Sequence, residues 1–163
     1  MINFIRKYNI LNPSQHGFLP NKSIESASYQ CLNYIFRNID DGKHVVTIFF
    51  DLSIAFDTIN SSFLFTKLYN LGIRGTLLKW IESYVSNRKM SVKCDGVISE
   101  TRETKLGVPQ GSVLGPLLFV LYVNDLFRNI KSGHVTMYAD DTTVVVTADG
   151  VDDLYAITSD VCS

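Results

Sequence analysis

Two spacings of apolar residues alternate along this chain, and each predicts a different element. Ile24, Ala27, Cys31, Ile35 and Ile39 share one helical face, and Gly42 follows as a stop. Val45-Val-Thr-Ile-Phe-Phe50 is a near-continuous apolar run. It predicts a strand over 44–51, buried on both faces and ending at Asp51. Helical spacing returns with Leu64, Leu68 and Leu71 (about 61–71) and with Leu77, Trp80, Ile81 and Tyr84 (about 76–86), whose aromatic residues read as core. Residues 89–104 read as a hairpin around Asp95-Gly96, a strong two-residue turn signal. The run from Leu117 to Val123 predicts a buried helix, with Pro116 in its first turn, where a missing N–H costs nothing. Strands over 134–138 and 142–147 flank a tight hairpin tip, and Leu154, Ile157 and Val161 mark a last helix over 151–162. Strands are joined by helices and hairpins, without strict βαβ alternation. The expected class is therefore α+β, an antiparallel sheet with helices packed on one face.

The candidate chemistry sits at the hairpin tip, Tyr138-Ala-Asp-Asp141. Adjacent carboxylates repel, and desolvation raises the penalty, so a bound cation is the natural way to keep both. All-oxygen ligands on a rigid turn suit Mg²⁺. Asp51, far upstream, also ends a strand. Three carboxylates at neighbouring strand ends can hold two divalent ions about 3.5–4 Å apart, the clamp used in phosphoryl and nucleotidyl transfer. The blander alternative is a capped strand end plus a solvated acidic turn. Between these acidic segments lies Leu106-Gly-Val-Pro-Gln-Gly-Ser-Val-Leu-Gly-Pro116, a glycine-rich loop that opens a helix. Glycines let a backbone approach a ligand, a helix N-terminus favours phosphate, and Gln110 adds an amide that both donates and accepts. No Gly-Lys-Ser/Thr follows, so this is not a Walker loop.

Taken together, these segments resemble the palm of a reverse transcriptase of the non-LTR (LINE-like) retrotransposon type. Phe49-Phe-Asp-Leu-Ser-Ile-Ala-Phe-Asp-Thr-Ile-Asn60 is similar to the family's first catalytic motif, Gly107 to Leu118 to its second, and Tyr138 to Asp141 to its third. Gln15-His-Gly-Phe-Leu-Pro-Asn-Lys-Ser23 resembles the fingers motif. Gly72 to Gly75 and Tyr84 to Arg88 resemble the segment between the first two catalytic motifs. The resemblance runs from about Asn12 to the C-terminus and implies a partial fingers segment over 1–43 and a palm over 44–163.

It also implies roles. Asp51, Asp140 and Asp141 would be catalytic and would ligate two Mg²⁺ ions, with Mn²⁺ as a possible substitute and the Leu52 carbonyl as a further ligand. Phe56 would be the steric gate against a ribose 2′-hydroxyl. Ile54 and Ala55 would face the triphosphate through backbone N–H groups, Gln110 and Gly111 would line the nucleotide and template side, and Lys22 would reach the phosphates. Tyr138 would support the primer end. The implied partners are an RNA or DNA template, a DNA primer and deoxynucleoside triphosphates. Ile54 and Leu19 stand where many relatives carry Lys and Arg.

Composition qualifies this picture. Fifteen basic against sixteen acidic residues give a net charge of −1 in 163 residues, whereas a free-standing nucleic-acid binder usually carries a basic footprint. Arg88, Lys89 and Lys93, with Arg102 and Lys105, form a local basic cluster. It is a possible template contact, though such a hairpin is more often simply solvated. Three cysteines form no zinc or disulfide pattern, and three histidines show no ligand spacing, which fits a reducing, intracellular (nuclear or cytoplasmic) setting. Neither a secretion signal nor a membrane-spanning segment is expected. No thumb motif is seen, so the chain reads as part of a longer polyprotein. The alternative function is an inactive truncated remnant, at most a weak nucleic-acid-binding module.

Overall fold

The computed structural model describes residues 1–128, 130 and 132–162. Thirteen elements follow one another: α1 (Ile2–Lys7), α2 (Ile24–Asp40), β1 (His44–Phe50), α3 (Ser61–Asn70), α4 (Gly75–Val85), β2 (Arg88–Met90), β3 (Lys93–Cys94), β4 (Val97–Ile98), β5 (Arg102–Thr104), α5 (Gly115–Val123), β6 (His134–Tyr138), β7 (Asp141–Ala148) and α6 (Val151–Val161). They form two compact units that interleave in sequence, Met1–Ile10 with Ile54–Tyr122, and Leu11–Ser53 with Val123–Ser163. Both helices and antiparallel ladders are present, as the α+β expectation requires.

The second unit is built on a three-stranded antiparallel sheet in the order β1-β7-β6. β7 is the central strand, and its Val144, Val145 and Val146 are fully buried. Val144, Val146 and Ala148 turn to one face, where Leu154, Ile157 and Val161 of α6 pack with Val46, Ile48 and Phe50 of β1. Asp152 and Asp153 open α6 and complement its dipole. His134 pairs with Val145 and so points to the other face. There Tyr34 of α2 stacks on its ring at 4.3 Å. The sheet is thus covered on one face by α6 and met on the other by α2, which comes from the segment read as fingers. α2 starts with a reciprocal capping box between Ser23 and Ser26.

One strand differs from expectation. β1 was read as buried on both faces, yet it is an edge strand and Phe49 is 78% exposed. The doubly buried strand is β7, whose double burial is masked in sequence by polar Thr residues at 142, 143 and 147.

In the first unit, α3 buries Leu64 and Leu68, and α4 buries Ile81 and Val85. The α4 face is rotated from the expected one. Leu77 is exposed, and Trp80, 52% exposed, stacks flat on Tyr84 at 5.6 Å along the helix surface. This i, i+4 pair satisfies itself, so its ring periodicity mimics a core stripe. β2 pairs with β5, and β3 with β4. Asp95 (φ +49°) and Gly96 (φ +83°) supply the two positive φ angles of a type I′ turn, as their sequence predicts. The middle of α5, Leu118 to Leu121, is buried on all sides. Among the described residues no helix is long and apolar enough to cross a membrane.

The rotated α4 face is testable. Ile81→Ala is expected to lower the unfolding free energy by about 2–5 kcal/mol, and Trp80→Ala by about 1 kcal/mol or less. Urea denaturation of the two variants checks the order.

Candidate active site

The acidic residues come together through strand register. β1 and β7 pair from His44↔Ala148 to Phe50↔Thr142. Asp51 directly follows β1, and Asp141 is the first residue of β7, so both adjoin the last pair of the ladder. Tyr138 pairs with Asp141 across β6 and β7, so Ala139 and Asp140 form a two-residue hairpin turn. Ala139 has φ +58° and Asp140 does not have a positive φ, the sign pattern of a type II′ turn. Alanine there carries strain that glycine would avoid. Asp51 and Asp141 are exposed, Asp140 half-buried.

The three backbones therefore share one end of the sheet. Among the described residues no group of three or more His, Cys, Asp or Glu is arranged to hold a metal ion. The donor set consists of carboxylate oxygens, which fits Mg²⁺ and not a soft metal. Two of the three carboxylates are free to turn in solvent.

The hairpin is braced from upstream, by residues whose role the sequence did not reveal. Ser14 to Gly17 run parallel to the free edge of β6. The His16 N–H donates to the Met137 carbonyl (2.8 Å) and the Met137 N–H to the Ser14 carbonyl (2.9 Å). Lys22 donates to the carbonyls of Pro13 and Gln15, the latter at 2.8 Å. Two of its three donors are thus committed within the fold, and burial draws its pKa below the usual lysine value. His16 bonds Ser26 (2.6 Å) and Gln30 (2.7 Å) of α2 through its two ring nitrogens. Burial holds His16 below the ordinary histidine range; Gln30 opposes this and Lys22 adds to it. Burial lowers His134 in the same way.

The remaining site candidates lie in the first unit. Ile54 has φ +57°, an outlier for a β-branched residue, and its side chain is 68% exposed. Its carbonyl accepts from the N–H groups of Asp57 (3.0 Å) and Thr58 (3.2 Å), closing a tight turn. Ala55 is buried. The Phe56 ring stacks on Phe119 of α5 at 4.6 Å, which fixes its plane. The glycine loop lies directly on this segment. The Gly107 N–H donates to the Ile59 carbonyl (2.7 Å), the Val108 N–H to the Phe56 carbonyl (3.0 Å), and Gln110 Nε2 to Asp57 Oδ2 (2.9 Å). A Cβ on Gly107 would stand 2.8 Å from Asp57 Cα. Gly111 has φ +73° and open space around it. Arg88, from the basic cluster, donates to the Leu106 and Gly107 carbonyls (2.8 Å each) and to that of Val85 (3.1 Å).

Two tests follow. Gly107→Ala meets both a backbone clash and a positive φ, and is expected to cost about 1–3 kcal/mol. Gly111→Ala meets the φ term alone and should cost about 1 kcal/mol; urea midpoints compare them. For His16 and His134 the folded pKa lies below the unfolded value of about 6.5, so the unfolded chain binds more protons. Their contribution is present above that value and is lost as pH falls through the lowered folded pKa. Urea midpoints should therefore drop between about pH 7 and about pH 5, and less so in His16→Gln.

Comparison with known proteins agrees with the motifs. A family model described as reverse transcriptase (RNA-dependent DNA polymerase) matches residues 1–160. The chain is 29% identical over 143 residues to a probable RNA-directed DNA polymerase from transposon BS of Drosophila melanogaster, covering 83% of this chain and 16% of that protein. It is 30% identical over 138 residues to the RNA-directed DNA polymerase from mobile element jockey of Drosophila funebris, covering 80% of this chain and 15% of the relative. The chain thus spans about one-sixth of the length of these relatives. Its fold is similar to an apo telomerase from Candida tropicalis truncated from its C-terminal domain, with a TM-score of 0.69 at 14% identity, over 98% of this chain and 34% of that one. With the motifs in order and the family model spanning nearly every residue, this chain belongs to the reverse transcriptase (RNA-dependent DNA polymerase) family.

Proposed function

We propose that this chain carries the nucleotidyl-transfer centre of an RNA-directed DNA polymerase from a non-LTR retrotransposon. The observation that supports it most is the β1–β7 register, whose last pair, Phe50↔Thr142, adjoins both Asp51 and Asp141, with Asp140 in the neighbouring turn. These carboxylates, with the Leu52 carbonyl, are the ligands for two Mg²⁺ ions, or Mn²⁺ in their place. Bound there, the ions supply charge neutralisation at the phosphoryl oxygens and ease ionisation of a hydroxyl.

The reaction is attack by a primer 3′-hydroxyl oxygen on the α-phosphorus of a deoxynucleoside triphosphate. The new P–O bond forms as the bond to the β-phosphate oxygen breaks, pyrophosphate leaves, and the hydroxyl proton passes to solvent. An RNA or DNA template selects the base by pairing. Phe56, its ring plane held by Phe119, rejects a 2′-hydroxyl by occupying its space. Ile54 and Ala55 offer backbone N–H groups to the triphosphate. This makes the side chain at 54 dispensable, consistent with its exposure. Gln110, held on Asp57, and Gly111, with open space around it, line the nucleotide side. Lys22 brings its remaining donor to the phosphates, and Tyr138 supports the primer end.

Primer extension on an oligonucleotide template with Mg²⁺ tests this reading. Asp140→Asn is expected to lower incorporation by more than about 100-fold, beyond the 10–100-fold typical of outer-shell changes at metal sites. Phe56→Ala is expected to admit ribonucleotides. Unchanged sugar discrimination removes the gate role. A folded wild-type chain without incorporation selects the second reading, an inactive remnant.

A further inference from the structure

We propose that Gln15 is a positioning residue for Asp140, acting through the backbone of Ala139 to fix the direction of the acidic turn. The inference rests on the metal-binding reading above. Gln15 is 1% exposed, and its side-chain amide makes three hydrogen bonds. Its Oε1 accepts from the N–H of Ala139 (2.9 Å) and from the N–H of Gly17 (2.7 Å), and its Nε2 donates to the Ala139 carbonyl (3.3 Å).

The side chain thus pairs with Ala139 as a neighbouring strand would, through one donor and one acceptor. It extends to the turn a pairing that the main chain makes only as far as Gln15↔Met137. Ala139 is the strained member of the turn, at φ +58°. A residue at a sparsely populated angle stays there only when its surroundings over-determine it. Gln15 holds both polar backbone groups of that residue, and Asp140 is the next residue. Gly17 closes the brace from the same side: a Cβ there would stand 2.2 Å from the Ala139 nitrogen. Lys22 on the Gln15 carbonyl and His16 on α2 anchor the segment from which Gln15 reaches.

The test uses the 163-residue chain and Mn²⁺ as the probe. Gln15→Met keeps length and shape and removes all three hydrogen bonds. Gln15→Glu keeps both bonds to Oε1 and replaces the donor facing the Ala139 carbonyl. Mn²⁺ binding is followed by electron paramagnetic resonance, and amide exchange at Ala139 and Asp140 by NMR, with circular dichroism as the fold check. Gln15→Met is expected to fold, to bind Mn²⁺ about tenfold more weakly, in the range of outer-shell changes, and to exchange faster at both amides. Gln15→Glu should exchange more slowly than Gln15→Met at Ala139; it also carries the comparison with wild type if Gln15→Met does not fold. Wild-type Mn²⁺ affinity in Gln15→Met, with affinity lost in Asp140→Asn, overturns the positioning role and leaves the metal reading standing. Failure of the wild-type chain itself to bind Mn²⁺ sinks the metal reading and, with it, a role in ion binding. Unchanged exchange at both amides overturns the brace in any case.

Discussion

The double pairing of β7 governs the chemistry available to this chain. An antiparallel ladder fixes not only which strands touch but which residues stand opposite one another, and a slip of one position would turn every side chain to the other face. Here the buried valines of β7 support that register, because a one-residue slip would turn Val144 and Val146 away from α6. The same alignment carries Asp51 and Asp141 to the end of the sheet and leaves a two-residue turn for Asp140. Apolar packing at the centre thus dictates where the carboxylates lie at the edge.

The loop regions obey a different rule. Residues 54–60 and 106–111 hold one another mainly through backbone groups: Gly107 to Ile59, Val108 to Phe56, and Arg88 reaching carbonyls of the glycine loop. Such contacts depend on chain path more than on side-chain identity. The side chain at 54 can then face outward without weakening the fold, while Gly107 is confined by direct contact. A rigid frame with a few unconstrained positions is the arrangement a binding surface needs.

Much of this was legible in sequence. Helix stops, the Asp95-Gly96 turn, the tight acidic hairpin and the α6 face all follow from local rules, because each depends on neighbours a few positions away. Trp80 and Phe49 were misread for the same reason: aromatic periodicity and an apolar run state a preference for burial, but the partner surface decides whether it is met. The three aspartates could be singled out by motif, yet the direction of their side chains could not. Gln15 was visible inside a quoted motif as an uncharged polar residue two positions before a glycine. Nothing local announced a partner 124 positions away.

The contact between Gly17 and Ala139 has an evolutionary corollary. The obstacle to a side chain at 17 is the main-chain nitrogen of residue 139, which no mutation removes. A change at one position therefore cannot be rescued by a matching change at the other, as happens between two packed side chains. Lineages retaining this docked segment should drift at residue 139 within the limits of its turn while keeping glycine at 17, an asymmetry imposed by the peptide backbone itself.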